Sequence, residues 1–148
     1  MWTLIVVALV GLAGTYALEI DATISQRERE KELLFIGHQF RMALQRYREA
    51  TPANGRPYPA SLEELLDDRR SGMAHRHLRK IFVDPMTKKA LWGMVWLDGR
   101  IVGIYSLSAQ APVKRDGFEQ DDAAFKNASH YSDWKFLVSP EMQTGAKR

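Results

Sequence analysis

The chain has 148 residues, 45% of them hydrophobic, with 21 Lys and Arg against 18 Asp and Glu for a formal net charge of +3. That charge is too mild to name a partner by bulk electrostatics, and the absence of cysteine excludes disulfides and cysteine-based metal or redox chemistry. With an apolar N-terminal stretch set aside, the remainder suffices for one small domain and its core.

The opening stretch, Trp2 to Leu18, is apolar or small throughout and carries no charge. As a helix it covers about 26 Å, at the short end of what crosses a bilayer core of about 30 Å. A cleaved signal peptide normally has basic residues before its apolar core, and only Met1 stands before this one, although "TYA" offers the small residues of a cleavage site. A buried soluble helix is the other alternative. The expectation adopted is a retained transmembrane segment over 1–19.

Beyond Leu18 the pattern stays helical. Ile20 and Ile24 extend an apolar stripe, "SQREREKE" consists mostly of good helix formers, and Leu33, Ile36, Phe40, Leu44 and Tyr47 recur at spacings of three and four. The first proline is Pro52, and the residue before a proline disfavours α geometry, so the helix should end near Ala50. Membrane segment and amphipathic continuation, over 20–51, therefore read as one rod. Its charged middle, Arg27 to Glu32, reads as a solvated stalk in which Arg27–Glu30 and Arg29–Glu32 pair weakly, or as a surface meeting complementary charges on neighbouring copies. Gly11 and Thr15 would suit close helix packing in lipid.

The region 52–148 reads as a globular domain. "TPANGRPYP" is turn-rich, and "SLEELLDDRR" reads as a short helix with a Ser61/Glu64 capping box, an inner face of Leu62, Leu65 and Leu66, and a stop at Gly72. "RRSGMAHRHLRK" is a basic run, either a solvated helix end or a contact for phosphate, anionic lipid or an acidic partner. His75 and His77, two apart, lack a third ligand nearby in sequence.

"ALWGMVWLDGRIVGIYSLS" carries the strongest hairpin signal. Asp98-Gly99 suits a type I′ turn that pairs Leu97 with Arg100, Trp96 with Ile101, Met94 with Gly103 and Trp92 with Tyr105. A third strand is expected in "HYSDWKFLV", with Trp134, Phe136 and Val138 on one face; the aromatics read as core against the long helix. Between the strands, Asp116, Glu119, Asp121 and Asp122 form an oxygen-rich cluster that is a candidate calcium site, although "EQDDAAFKN" also reads as a short helix with acids at its start. Calcium is the single cofactor candidate. No nucleophile elbow, phosphate loop or histidine relay appears, so the expectation is not an enzyme, with no small-molecule substrate.

The sequence resembles the type IV pilin and type II secretion pseudopilin superfamily over nearly its whole length. The resemblance is carried by "WTLIVVALVGLA", "ELLFIGHQFRMALQRYRE", "YPASLEELLDD", "FVDPMTKKALWGMVW" and a late "SDWKFLV" strand, the last similar to protein G-type pseudopilins. It implies a pilin-like α+β fold, a long N-terminal helix packed on a small antiparallel β-sheet. It also implies a single-pass inner-membrane subunit with its domain in the periplasm. Its partners would be other pseudopilin subunits and an assembly platform, packing its helices into a short filament for protein secretion, with N-terminal processing and methylation.

Two departures accompany the resemblance. Trp2-Thr3-Leu4-Ile5 matches the start of the family's "FTLIE"-like segment, yet Met1 stands where the leader's glycine belongs and Val6 replaces the glutamate that registers a new subunit against its neighbour. Arg27, Arg29 and Lys31 after the helix favour a cytoplasmic domain by the positive-inside rule; a basic leader would supply the residues that rule counts, and the DNA upstream would show it. The alternatives are a membrane-anchored periplasmic adaptor or binding domain that does not polymerise, and a DNA-uptake pilus subunit whose basic run touches phosphates. Nucleic acid is not the expected partner.

Overall fold

The computed structural model describes residues 2–138, and of residues 12–21 the backbone alone. A single helix, α1 (Trp2–Glu49), runs for 48 residues, about 72 Å at 1.5 Å per residue. No proline interrupts it, and its charged middle is as helical as its flanks. It ends in a tightened turn, with Thr51 N–H donating to Arg48 O at 3.2 Å and the Thr51 hydroxyl to Tyr47 O at 3.0 Å. Pro52 then forbids continuation. Arg46 and Arg48 occupy the last turn, where cations oppose the negative end of the helix dipole.

The second half of α1 is one wall of the domain. Leu33, Ile36, Phe40, Leu44 and Tyr47 are all buried, none more than 3% exposed, and join Trp92, Ile101, Ile104 and Phe136 in one core. The Phe40 ring meets Trp92 edge-on at 5.3 Å and Phe82 at 6.2 Å between centroids. Gly37 is a contact rather than a hinge, because the Phe136 ring lies where its Cβ would be. Helix propensity favours Gly37→Ala by about 1 kcal/mol, but overpacking costs about 1–3 kcal/mol. A net loss is therefore expected, read as a lower urea midpoint of the full chain in detergent.

The fold is α+β. β1 (Gly93–Leu97), β2 (Arg100–Tyr105) and β3 (Phe136–Leu137) form a three-stranded antiparallel sheet in that order. Asp98 and Gly99 have φ of +50° and +70°, the left-handed pair a type I′ turn needs. Leu97 pairs with Arg100 and Trp96 with Ile101 as the turn dictates; beyond that the expected register is wrong by one residue, Val95 pairing with Gly103, Met94 with Ile104 and Gly93 with Tyr105. The cause is a bulge at Val102, whose carbonyl instead accepts Val138 N–H at 3.0 Å. Gly103 makes room for β3, since a Cβ there would sit 2.5 Å from Leu137 Cδ2 and 2.8 Å from Phe136 O.

Three other expectations are corrected. The "SLEELLDDRR" helix is a single 3₁₀ turn, Leu62–Leu65, with Leu62 and Leu65 buried. Ser61 makes no side-chain cap; Glu64 reaches back to Ala60 N–H at 3.1 Å and accepts the Tyr47 hydroxyl at 2.7 Å, so the capping box is given up for a contact with α1. The third strand is shorter than "HYSDWKFLV", because Asp133 accepts the amides of Ser129 and His130 and curls Tyr131–Asp133 into a 3₁₀ turn. Trp92 and Trp134 are core, but Trp96, near the hairpin tip, is 54% exposed.

Candidate functional site

The two ends of α1 differ sharply in what surrounds them. From Trp2 to Gly11 every residue is exposed, including Trp2 at 86% and Val6 at 53%, and apolar side chains face all directions. A helix apolar all round is stable only when lipid or other helices cover it. Among the residues described with side chains, no helix is long and apolar enough to cross a membrane. Residues 12–21, the second half of the expected span and the site of Thr15, lie outside the described side chains.

The middle of α1 is not a solvated stalk on every side. Glu30 is 4% exposed, and its carboxylate accepts Val113 N–H at 2.8 Å, Lys114 N–H at 2.9 Å and the Tyr131 hydroxyl at 2.8 Å. Gln26, one turn earlier, donates to Ala111 O at 3.0 Å and to the Tyr131 oxygen at 3.1 Å. Burial foremost, opposed by the Gln26 bond and reinforced by Glu30, pushes the Tyr131 phenol up to about 12. These contacts strap the loop after β2 to the helix. The expected Arg27–Glu30 and Arg29–Glu32 pairs are replaced by Lys31–Glu28 at 2.8 Å and Arg29–Ser25 at 3.3 Å, on the exposed side.

The four acids of the calcium candidate are not brought together. Asp122, 2% exposed, turns inward onto Arg41 Nη2 at 2.7 Å and His38 Nε2 at 2.5 Å. Asp116 pairs at the surface with Lys126 at 3.3 Å, and Glu119 and Asp121 are exposed. The Gln120–Asn127 turn that carries Asp121 and Asp122 separates their directions. Among the described residues no group of three or more His, Cys, Asp or Glu could hold a metal ion.

A second buried cluster closes the far end of α1. All five N–H donors of Arg70 are used: Nε and Nη2 on the two Asp68 oxygens at 2.8 Å, Nη2 on Tyr47 O at 2.7 Å, and Nη1 on Thr51 Oγ1 at 2.9 Å and Arg56 O at 2.7 Å. The guanidinium also stacks on the Tyr47 ring at 3.4 Å. Arg70 thereby satisfies a terminal helix carbonyl and fixes the 52–56 linker. His77 Nε2 lies 2.9 Å from Asp68, so the carboxylate missing from its sequence neighbourhood arrives through the fold. His75 instead pairs its backbone with Asp68. Burial foremost, then the Glu64 hydrogen bond, raises the Tyr47 phenol well above its ordinary value.

Two of the buried aspartates, Asp68 and Asp122, make a prediction about acid. Hydrogen bonds from Arg70, opposed by burial, hold the Asp68 carboxyl far below the usual range. For Asp122 burial pulls upward, but His38 and Arg41 together outweigh it, leaving the carboxyl lowered. A depressed folded-state pKa means the unfolded chain binds more protons once pH drops below about 4, so the stabilisation present at neutral pH is lost as pH falls. The urea midpoint should drop between about pH 5 and pH 2, and drop less steeply in Asp68→Asn and Asp122→Asn.

These clusters are clamps between elements, with no bound-ligand geometry. What they leave at the far end is an open cleft of about 550 Å³ whose lining includes Tyr47, Arg56, Asp67, Arg69, Arg70 and Arg100. Sequence reasoning missed Gln26, Glu30, Arg41 and Arg70. The first two did carry a signal, since they continue the 33–47 stripe backwards at helical spacing. Compared with protein-family models, curated proteins and solved structures, the chain matches none of them.

Proposed function

We propose that this chain is a non-enzymatic, pseudopilin-like subunit of a type II secretion or type IV pilus-type assembly. Its apolar helix end anchors it in the inner membrane, with the domain in the periplasm, and then packs against other copies in a filament. The observation that supports this most is a single helix whose first residues are apolar and exposed on every side, while its second half is a wall of the α+β domain. Such a helix needs a partner along its free end, and the straps at Glu30, Arg41 and Arg70 hold it rigidly to the domain. Lipid and neighbouring helices can cover that end in turn, which suits a subunit moved from membrane to filament.

The chain contains no cysteine, so Val10→Cys introduces a unique reporter. Expressed with a secretion-type assembly platform, the variant should stay with membranes after alkaline carbonate extraction and give a disulfide-linked dimer on oxidation, the single thiol of each chain pairing with that of a neighbour. Extraction into the soluble fraction would overturn the anchor. Retention with no crosslinked product would favour the non-polymerising adaptor, a reading supported by Val6, an exposed apolar residue where the family carries its registering glutamate.

A further inference from the structure

We infer that the end of the domain farthest from the apolar helix segment binds an acidic peptide segment of a partner protein, through Arg56 and Arg100. The inference does not depend on whether the other end sits in lipid. Both guanidinium groups line two adjoining clefts, the one beside Tyr47 and a second of about 300 Å³ that includes Tyr58, Leu97 and Asp98.

The acids and cations of the first cleft differ in what they have left to offer. Asp68 is taken by Arg70 and His77, Glu64 by Tyr47 and Ala60, and Asp67 by Arg69 at 2.9 Å. Arg70 has no donor to spare. Arg56 and Arg100, by contrast, have no side-chain hydrogen bond or ion pair among the described residues, and Asp98 is the acid that lines the second cleft with them.

Both are carried on fixed backbone. Arg70 Nη1 holds the Arg56 carbonyl at 2.7 Å, while Arg100 follows the Asp98-Gly99 turn and precedes Ile101, whose N–H donates to Pro59 O at 2.9 Å. Guanidinium forks carried on held backbone, with their own donors unspent, suit bidentate carboxylates. Tyr58 and Leu97 offer apolar contact between acidic side chains.

The test uses the full chain in detergent micelles and a fluorescein-labelled deca-glutamate peptide, followed by anisotropy. Binding is expected, weakening about tenfold or more between about 20 and about 200 mM salt. The variant R56E/R100E should weaken it about tenfold or more, and the milder R56Q/R100Q should weaken it measurably, while Arg27→Glu, on the exposed side of α1, changes it less than about twofold. Absence of binding, equal binding of a deca-glutamine peptide, or equal binding by R56Q/R100Q and R56E/R100E and the parent chain would each overturn the inference. Tighter binding of a short DNA duplex than of the peptide would overturn it in favour of a nucleic-acid surface.

Discussion

Phe40→Ala should destabilise the full chain by about 3–5 kcal/mol, the cost of deleting a buried aromatic and leaving a partly collapsed cavity. Phe40 is fully buried on the domain side of α1, with Trp92 and Phe82 edge-on against it. It is therefore the residue that most directly joins the helix to the sheet hairpin and to the loop before it. Urea unfolding followed by tryptophan fluorescence reads the loss, because Trp92 and Trp134 are buried in the same core. A change below about 1 kcal/mol would mean that the helix is not the wall of that core.

Asp122→Ala should cost about 3–5 kcal/mol, for a different reason. It leaves the Arg41 guanidinium, on a side chain only 10% exposed, without its carboxylate, and a buried charge stripped of its partner is costly. The remaining bonds, Nε to Leu137 O at 3.0 Å and Nη2 to Asp121 O at 3.5 Å, go to neutral carbonyls and leave the charge uncompensated. Replacing both partners, as in Arg41→Met with Asp122→Leu, should restore most of the loss, because the desolvation of two ions disappears with them. Equilibrium unfolding of Arg41→Met, Asp122→Leu and the pair completes the cycle; a double variant as unstable as the sum of those singles would show that packing, not charge, sets the cost.

Much of the fold was legible because it is written locally. The 33–47 stripe has helical period, Pro52 ends the helix, and Asp98-Gly99 demands its turn; α1, its buried face and the start of the hairpin follow from those residues. The bulge at Val102 was not legible, because it depends on β3 arriving from far along the chain to take the Val102 carbonyl and to crowd Gly103. The short helix after Ser61 gave up its capping box because Glu64 found Tyr47, 17 residues away.

The site was read less well for the same reason. Asp122 looked like one of four surface oxygens until α1 supplied Arg41 and His38 from more than 80 residues earlier. Arg70 looked like a charge at a helix end, whereas its geometry makes it the clasp between α1, the linker and Asp68. Glu30 reads from sequence as part of a solvated stalk, paired with Arg27, although its spacing, with that of Gln26, continues the buried stripe. Position on a helix face was the better guide than residue type.

The account rests on α1 being one rod, apolar and lipid-covered at its start and docked at its end. A nitroxide scan at single introduced cysteines from Trp2 to Ile36, with the full chain in lipid nanodiscs, measures both properties at once. The expected profile is oxygen-accessible and shielded from a water-soluble nickel chelate through about residue 18. Beyond about residue 26 it should become an oscillation of about 3.6 residues with minima at Gln26, Glu30 and Leu33. Chelate access from Trp2 onward, or an oscillation that breaks phase across the charged middle, would contradict it.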